Sequence, residues 1–422
     1  MQTLDDIAAS LQGYDPQALP ADTASQFLQQ LVQPVAQSMD IPLMEALGRV
    51  LAQDVISPID VPPHDNSAMD GYAFDGGALG DAPLPLNIAG TVHAGAVWSG
   101  TATAGQCVRI MTGALMPAGL DTVIPQELAQ VDGDRVVVPA GLLQAGDNRR
   151  LAGEDLRRGS VALAAGSVLT PAALGLLASL GQPTVNVRRR LRVAYFSTGD
   201  EIMQLGEAPR SGAVYDSNRY TLFGLLTRMG VEVIDMGLVR DDPEALEAAF
   251  SNASAQADAI ITSGGVSVGE ADHTKATMRK LSGNGIAFWK IAMRPGRPMA
   301  VGRLGHCILF GLPGNPVAVM VTFLAFVRPA LRKMMGCKAD QPVLLQAQAG
   351  HAIRKKPGRT EYQRAWVQPG PDGKLVAHIT GNQGSGILSS MVQANGLLVL
   401  PHEQGNVATG DTVQLMMFDG VI

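Results

Sequence analysis

Three short loops carry the side chains of this sequence whose types and spacing could do chemistry. They are residues 66–72, 197–201 and 264–275, and each combines glycine with carboxylates. In the third loop Glu270 and Asp272 lie two positions apart, so in an extended segment they face the same side. Mg²⁺ typically takes one or two carboxylates and completes its shell with water and substrate phosphates. The third loop therefore indicates a cation held beside an anionic ligand.

Each loop also has a plainer interpretation. Asn66 and Asp70 can bond their own backbone in a structural turn, and Asp200 and Glu201 can be ordinary acids of a helix start. In the third loop, Gly264 and Gly265 can form a tight turn, or they can let backbone N–H groups approach an anion. From the pattern alone, both interpretations of each loop stay open.

The third loop also contains the pattern Gly-x-Ser-x-Gly around Ser267, which is typical of a hydrolase nucleophile on a strand–turn–helix. The pattern has only three fixed positions in a chain with 48 glycines, and no later histidine has a distinctive context. Serine hydrolysis is therefore the weaker hypothesis for this loop. In the hypothesis of an anionic ligand, Lys275 is a candidate phosphate contact.

A basic segment follows, with Lys290 at the end of an apolar run and Arg294 and Arg297 in a Pro/Gly-rich loop. The planar guanidinium suits phosphate or another oxyanion.

Residues 310–316 then lead into an apolar helix whose N-terminus could bind an anion. The C-terminal run 354–359 is more typical of a solvated turn. Neither a Walker A nor a Gly-x-Gly-x-x-Gly motif is present, so together these segments favour a small anionic ligand.

The elements that must position these loops alternate between strand and helix from about residue 192 to 335. Apolar runs at 192–197, 231–238 and 258–265 predict strands, and 217–230, with Ser217 as its cap, and 243–256 predict helices. Strands separated by helices of this length predict crossover units and a mainly parallel sheet. Ligands bind at the carboxyl ends of such strands, where the glycine and acidic loops lie.

The rest of the chain differs in pattern. Residues 46–146 read as a mostly β domain, and residues 336–422 read as a small C-terminal β-barrel with strands of 5–9 residues. Residues 1–45, helical over 21–45, combine with 147–186 into a linking piece, and 187–335 forms the α/β domain. The predicted fold class is thus multidomain α/β plus β.

Composition excludes several classes of protein. The chain has 422 residues, 46% of them hydrophobic, and a net charge of −6 without a basic stripe, which argues against nucleic-acid binding. The three cysteines are far apart, so neither a disulfide scaffold nor a cysteine-rich zinc site is expected. The N-terminus lacks a secretory apolar stretch, and the longest apolar run, 317–327, is shorter than the ~20 residues of a membrane span. A cytoplasmic protein is expected.

The motifs as a set resemble one family. DNSAMDGYA (65–73), RIMTGA (109–114), FSTGDE (196–201), TSGGVSVGEADHTK (262–275), FWKIAMRPGRP (288–298), FGLPGNP (310–316) and GNQGSGILSS (381–390) occur in the order seen in MoeA-type molybdopterin molybdenumtransferases. The chain is also similar to the E domain of gephyrin. The resemblance runs from about residue 20 to the end.

The resemblance implies an elongated homodimer with four domains per chain and the last step of molybdenum cofactor synthesis. In that step adenylylated molybdopterin and molybdate react, with Mg²⁺, to give the cofactor and AMP. The adenylyltransferase that supplies the intermediate is a candidate partner of this chain. Catalytic roles are implied for Asp70, Thr112, Glu201, Asp272, Lys290 and Arg294, with Glu201 and Asp272 holding the metal. Ligand-binding roles are expected for Gly264, Gly265, Ser267, Asp242, Lys275, Arg297, Pro313, Gly314, Pro316 and Ser385.

Asp70 and Glu201 lie in different predicted domains, so the site is expected to be a cleft, completed across the dimer. Arginine at 294 and 297 replaces the lysine of some relatives, and His273 replaces a common tyrosine. The main alternative is a non-catalytic molybdopterin-binding scaffold of the same fold, for which the set of carboxylates would not be needed.

Overall fold

The computed structural model describes residues 2–266, 273–283, 285–338 and 343–418. Its α-helices, in chain order, are α1 Leu4–Ser10, α2 Ala21–Leu31, α3 Pro171–Ser179, α4 Ser217–Arg228, α5 Pro243–Gln256, α6 His273–Ser282, α7 Pro316–Thr322, α8 Arg328–Met334 and α9 Ser389–Gln393. A π-helical turn, Phe323–Val327, joins α7 to α8, so that one continuous helix spans 316–334. This helix is apolar on most sides and is largely buried, as its sequence predicts.

The N-terminal half contains twelve short strands. They are β1 Ser38–Pro42, β2 Val55–Ile56, β3 Asn66–Ser67, β4 Gly71–Phe74, β5 Leu84–Val92, β6 Gln106–Ile110, β7 Thr122–Pro125, β8 Gln130–Asp132, β9 Arg135–Val138, β10 Arg149–Arg150, β11 Val161–Leu163 and β12 Thr184–Arg188. Strands β4 to β9 form one six-stranded sheet in the order β7-β4-β6-β5-β9-β8. Successive residues of β4 enter two different apolar clusters, Ala73 on one face and Tyr72 and Phe74 on the other. The alternation expected of a strand therefore gives this sheet a core on each side.

Segments on either side of this sheet pair with each other. Strand β1 pairs antiparallel with β12, β2 with β11 and β3 with β10. The predicted helix over 21–45 is correct only for α2. Beyond Val32 the chain extends into β1, because residues 38–42 find a full register of partners in 184–188. The predicted domain boundaries stay predictions.

The α/β unit contains β13 Arg192–Thr198, β14 Ile202–Met203, β15 Val214–Tyr215, β16 Glu232–Val239, β17 Ala259–Ser263, β18 Ile286–Lys290, β19 Met293–Arg294, β20 Pro298–Leu304 and β21 Cys307–Leu312. Its main sheet has the order β16-β13-β17-β21-β20-β18. The first four strands of that order pair in parallel. Strand β20 pairs antiparallel with β21, and β18 pairs antiparallel with β20. The mainly parallel sheet predicted from the sequence is confirmed.

Two layers of helices cover this sheet. Helices α2, α4 and the 316–334 helix share one apolar cluster with one face, and α5 and α6 share another with the opposite face. The first cluster extends to the N-terminus, where Phe27 of α2 meets Trp289 edge to face with ring centroids 5.0 Å apart. The N-terminal segment is thus built into the core of the α/β unit.

The C-terminal strands are β22 Leu345–Ala349, β23 Thr360–Pro369, β24 Leu375–Ile379, β25 Gly396–Leu400 and β26 Thr412–Met417. Their order is β23-β24-β22-β26-β25, and β25 pairs again with β23, which closes a five-stranded barrel. Strand β19 of the α/β unit adds to β23 from outside, with Met293 opposite Thr360 and Arg294 opposite Glu361. The predicted barrel is confirmed, and β19 fixes its position against the α/β sheet. Within the described ranges, no helix is both long and apolar enough to cross a membrane.

Candidate active site

A cavity of about 820 Å³ lies where the carboxyl ends of β13, β17 and β21 face the barrel. Its lining comes from the loops that follow these strands, from the segment around β19, and from the barrel. The lining residues are Thr198, Gly199, Asp200, Glu201, Asp241, Gly264, Gly265, Met293, Arg294, Pro295, Gly296, Arg297, Pro298, Pro313, Gly314, Asn315, Ala318, Arg359, Gln383, Gly384 and Ser385. The carboxyl edge of a parallel sheet is where such sites are expected.

One side of the cavity, here called the acidic wall, consists of Thr198–Glu201 and Asp241. Glu201 follows β13 directly and is exposed. Oγ1 of Thr274, a residue of α6, lies 3.4 Å from Oδ1 of Asp241, so α6 contacts the acidic wall. These carboxylates supply the oxygen ligands that Mg²⁺ prefers.

The paired glycines after β17 hold the acidic wall against the sheet. Gly264 and Gly265 have φ values of +90° and +65°, and a side chain at either position would collide with Thr198 or Thr274. The N–H of Gly264 donates to the carbonyl of Leu312 at 3.2 Å. The sheet therefore uses this N–H, and the ligand-binding role expected for Gly264 and Gly265 stays a prediction. The requirement for glycine comes from close backbone packing.

Another part of the lining, here called the basic wall, consists of Arg294, Arg297 and Arg359. The loop carrying the first two is closed by a bond from Ile291 N–H to the carbonyl of Arg297 at 2.7 Å. Gly296 in this loop has a φ of +96°, and a Cβ at this position would lie 2.5 Å from Oγ1 of Thr322, so the loop packs closely against the 316–334 helix. Arg294 and Arg297 are thus presented from a closed, closely packed loop.

Arg359 is the member of the basic wall that sequence reasoning missed. Its Nε and Nη2 both lie 2.8 Å from Oε1 of Glu361, whose carboxylate is buried. The run 354–359 was expected to be a solvated turn; Arg354 and Lys356 are exposed as expected, but Lys355 is buried and Arg359 is held by a buried carboxylate. The alternation of Arg359 and Glu361 at the start of a strand was the available signal, because residues two apart share a face.

The barrel contributes a third surface through residues 383–385. The carbonyl of Ser385 accepts a hydrogen bond from the N–H of Val317, in the first turn of α7, at 3.1 Å. Pro313 and Gly314 also line the cavity, and the carbonyl of Gly314 accepts from Asn218 Nδ2 at 2.7 Å. The predicted residues Pro313, Gly314 and Ser385 are therefore brought together, and Gln383 and Asn315 join them.

Asp216, rather than the predicted Ser217, caps helix α4 beneath the cavity. Its Oδ1 accepts from Arg219 N–H and from the hydroxyl of Ser197, both at 3.0 Å. Its Oδ2 is buried without a hydrogen-bond partner among the residues described. An aspartate is the better cap here because its carboxylate serves both the helix and the strand β13.

Several predicted residues lie outside the cavity lining. Asp242 caps α5 by accepting from the N–H groups of Glu244 and Ala245, and Pro316 starts α7. Lys290 ends β18, where its backbone bonds Pro16 and Leu19. Lys275 lies on α6. The structure gives these four positions local roles in helix or strand ends, and their ligand-binding roles stay predictions.

Asp70 and Thr112 form a pair in the N-terminal β-sheet unit, apart from the cavity lining. Oδ1 of Asp70 accepts from both the N–H and the hydroxyl of Thr112 at 2.7 Å. These bonds, the backbone one first, lower the pKa of the Asp70 carboxyl. Asp272 and Ser267, the remaining predicted residues, lie outside the described residues.

The residues present fit a magnesium ion that is shared with a phosphorylated ligand. No group of three or more His, Cys, Asp or Glu side chains able to hold a metal occurs in the ranges described. The acidic wall instead offers Glu201 and Asp241 at an open cavity. Mg²⁺ keeps several waters and binds through one or two carboxylates plus substrate phosphates, which matches such a partial ligand set.

Family models match nearly the whole chain. The MoeA N-terminal region (domains I and II) matches residues 19–181, a probable molybdopterin-binding domain matches 194–333, and the MoeA C-terminal region (domain IV) matches 346–418. The chain is 43% identical to the molybdopterin molybdenumtransferase of Haemophilus influenzae, over 94% of this chain and 98% of that protein. It is 36% identical to the one of a Nostoc species, over 96% and 95%.

The crystal structure of the molybdopterin biosynthesis MoeA protein from Pyrococcus horikoshii OT3 superposes with a TM-score of 0.81. That match is 28% identical and covers 95% of this chain and 100% of that one. The chain belongs to the MoeA family of molybdopterin molybdenumtransferases. It is an enzyme of this class with a role in molybdenum cofactor biosynthesis, which sets aside the non-catalytic scaffold.

Proposed function

We propose that this enzyme inserts molybdenum from molybdate into adenylylated molybdopterin and releases AMP. The observation that carries the proposal is that carboxylates and guanidinium groups line one and the same cavity of about 820 Å³. The names of the relatives supply the reaction class. The two walls match its reactants, since the nucleotide carries phosphates that need a metal and molybdate is an oxyanion.

The basic wall would bring the two anions together. The pyrophosphate bond of the nucleotide is cleaved while molybdate approaches, and two anions repel unless positive charge lies beside them. Arg294, Arg297 and Arg359 supply that charge from fixed positions. Guanidinium groups that are held before the anion arrives need no reorganisation during the reaction. Positioning and electrostatic stabilisation would account for most of the catalysis.

Glu201 and Asp241 would hold the magnesium ion, together with Asp272 as the sequence predicts. When bound, the ion would neutralise phosphate charge at the cleaved bond. The loops that follow β13 and β16 would keep these carboxylates at the carboxyl ends of the two strands. The paired glycines at 264 and 265 permit the close packing behind them.

A homodimer in which Asp70 and Thr112 complete the cavity of the second chain is part of the same proposal. The pair lies outside the cavity lining of its own chain. Tyr220 and Phe223 of α4 are 47% and 49% exposed and lie three apart, so they share one helix face. Exposed aromatic side chains on one face are typical of interfaces. An adenylyltransferase that delivers the intermediate is proposed with it, as is a cytoplasmic location, in keeping with three buried cysteines that lie far apart in the sequence.

The reaction is tested with purified enzyme, adenylylated molybdopterin and Mg²⁺, with and without micromolar molybdate. AMP release and the reconstitution of an apo-molybdoenzyme are followed side by side. We expect AMP release that depends on molybdate, together with reconstitution. AMP release without reconstitution would indicate simple hydrolysis and would contradict the proposal.

Mixing two inactive variants tests the two-chain site. Asp70→Ala and Glu201→Ala, each expected to be inactive alone, are prepared, mixed in equal amounts under conditions that exchange subunits, and assayed. If each site combines Asp70 of one chain with Glu201 of the other, a mixed dimer keeps one intact site, so about a quarter of the wild-type activity returns. If each site lies within one chain, the mixture stays inactive.

A further inference from the structure

Arg364 of β23 is a buried cation directly behind the cavity wall. Its side chain is fully buried, 0% exposed. Burying a charge is costly unless the charge is paired or well hydrogen-bonded. A guanidinium at this position therefore needs an explanation beyond the packing of the barrel.

Its hydrogen bonds tie it to the loop that lines the cavity. Nη2 donates to the carbonyls of Gly384 at 2.9 Å and Asn382 at 3.2 Å, and Nη1 donates to the carbonyl of Gln383 at 3.2 Å. Nε donates to the hydroxyl of Ser390 at 2.9 Å. One planar group thus holds three consecutive carbonyls, and their segment continues into Ser385.

The backbone of the same residue reinforces this arrangement. The N–H of Arg364 donates to Oε1 of Gln383 at 2.8 Å, and its carbonyl accepts from Nε2 of Gln383 at 3.2 Å and from the N–H of Thr380 at 2.9 Å. The loop also reaches α7 through the Ser385–Val317 bond. Arg364 therefore fixes the wall formed by residues 383–385 relative to both the barrel and the α/β unit.

All four acceptors of the guanidinium are neutral. Among the described residues, Arg364 forms no ion pair. The neighbouring charged group that acts on its guanidinium is another cation, Arg294. Burial first, and the charge of Arg294 second, lower the pKa of Arg364. Lys355 offers a contrast in the same barrel: it is buried and held by the carbonyls of Gln404 and His402, but the carboxylate of Glu361 acts on it. The charge of Arg364 is left without a nearby anion.

We propose that Arg364 is a positioning residue whose missing counterion is the bound oxyanion: it fixes the 382–385 loop as a cavity wall, and its charge adds to that of the basic wall. This inference rests on the proposed function. It implies that anion affinity depends on a residue that does not line the cavity. It also implies that the charge and the loop-holding bonds of Arg364 can be separated.

The test compares three variants, Arg364→Lys, Arg364→Met and Lys355→Met. Lysine keeps the charge but loses the fork that holds three carbonyls, methionine loses both, and Lys355→Met removes a buried cation that lies outside the cavity lining. Dissociation constants for molybdate are measured by calorimetry at low and high salt. The KM for molybdate and kcat are measured separately, and thermal unfolding reports on folding.

We expect Arg364→Met to weaken molybdate binding by about tenfold or more, because a unit charge in a poorly screened interior is lost. Most of that loss should appear in the KM for molybdate, and Arg364→Lys should recover part of it. Lys355→Met should leave molybdate binding within about twofold even if it unfolds at a lower temperature. A loss of the same size in Lys355→Met, or an Arg364→Met enzyme that folds and binds molybdate like the wild type, would overturn the inference. A wild-type enzyme without molybdate-dependent AMP release would instead refute the proposed function.

Discussion

The two walls of the cavity differ in how firmly their charged groups are held. On the basic wall, Arg359 is anchored by the buried Glu361, and Arg294 lies on a strand that is paired with the barrel. On the acidic wall, the side chain of Glu201 is exposed and makes no hydrogen bond or ion pair among the described residues, although its carbonyl accepts from the N–H of Val214. The basic wall thus has one guanidinium, that of Arg359, anchored by the protein, whereas the acidic wall presents a carboxylate that no described residue binds.

This difference matches the physical requirements of the two partners. An oxyanion is recognised by donors held in a fixed geometry, because reorganising them during the reaction would cost free energy. A hydrated divalent cation brings its own shell and needs only one or two carboxylates. An anchored guanidinium and an open carboxylate are therefore the arrangement expected for a reaction in which an oxyanion approaches while a metal-bound pyrophosphate is cleaved.

Removing one guanidinium should produce the largest effect. We expect Arg297→Ala to reduce molybdate-dependent AMP release by about a hundredfold, as the loss of one preorganised donor does in other enzymes. Arg192→Ala is the matched control, because Arg192 is exposed at the amino end of β13 and pairs with Glu232 on the surface. Steady-state AMP release measures both. Equal losses in the two variants would show that the basic wall has no special role.

Glu201→Gln should have the next largest effect, with a different signature. The amide keeps the shape of the side chain but removes the charge, so about tenfold more Mg²⁺ should be needed for half-maximal activity. A Mg²⁺ titration of AMP release at saturating molybdate checks this. Glu207→Gln is the control, since Glu207 is an exposed acid on the same connection outside the cavity lining. An unchanged Mg²⁺ requirement in Glu201→Gln would remove Glu201 from the metal site.

Much of the fold behind the acidic wall could be predicted from the sequence. The apolar runs at 192–197, 231–238 and 258–265 are strands whose bounds differ from the prediction by at most two residues, and the helix over 243–256 has the predicted bounds. Local pattern suffices there because each element is specified by its own residues. The acidic loops then follow from the rule that sites lie at the carboxyl ends of parallel strands.

The basic wall could be predicted only in part, because it depends on contacts between distant segments. Arg294 and Arg297 were evident from the Pro/Gly-rich loop. Arg359 joins them only because β19 pairs with β23, and no local pattern specifies that pairing. The same holds for Arg364, whose partners lie on a loop about twenty residues further along the chain. Conversely, the pattern left open what the N–H groups of the paired glycines bind, and a long-range bond to Leu312 uses that of Gly264.

A glycine substitution should show whether the stiffness of the basic wall matters. In Gly296→Ala the backbone keeps φ near +96° only under strain, and the new methyl would lie 2.5 Å from Oγ1 of Thr322. We expect a destabilisation of about 1–3 kcal/mol and weaker molybdate binding, since the neighbouring arginines would shift. Gly305→Ala is the control, with φ at +61° and open space around its Cβ. Thermal unfolding and molybdate titration of both separate backbone strain from displacement of the wall. A Gly296→Ala enzyme that is destabilised yet binds molybdate normally would mean that the rigidity serves stability alone.

The smallest expected effect concerns Asp70, a carboxylate that, unlike Glu201, is held in place by the protein. The N–H of Thr112, and then its hydroxyl, lower the pKa of Asp70. When the pKa of a carboxyl group is lower in the folded state than in the unfolded state, the group stabilises the folded state at pH values above the unfolded-state pKa. This stabilisation is lost as the pH falls through the folded-state pKa. Thr112→Val removes the hydroxyl bond and leaves the N–H bond, so the pKa of Asp70 should rise part of the way towards the ordinary aspartate value of 3.8.

An NMR titration of the Asp70 carboxyl carbon, in the wild type and in Thr112→Val, measures this shift, and Thr112→Ser is the control that retains the hydroxyl. A pKa that is equally low in all three would mean that the N–H bond alone holds the carboxylate. If Asp70 enters the second chain's cavity, adding Mg²⁺ and the nucleotide should shift its carbon resonance, although it lies outside the cavity lining of its own chain. Without that response, the fixed carboxylate would be a structural feature of its sheet, and Glu201 and Asp241 would be the described carboxylates that remain for the metal.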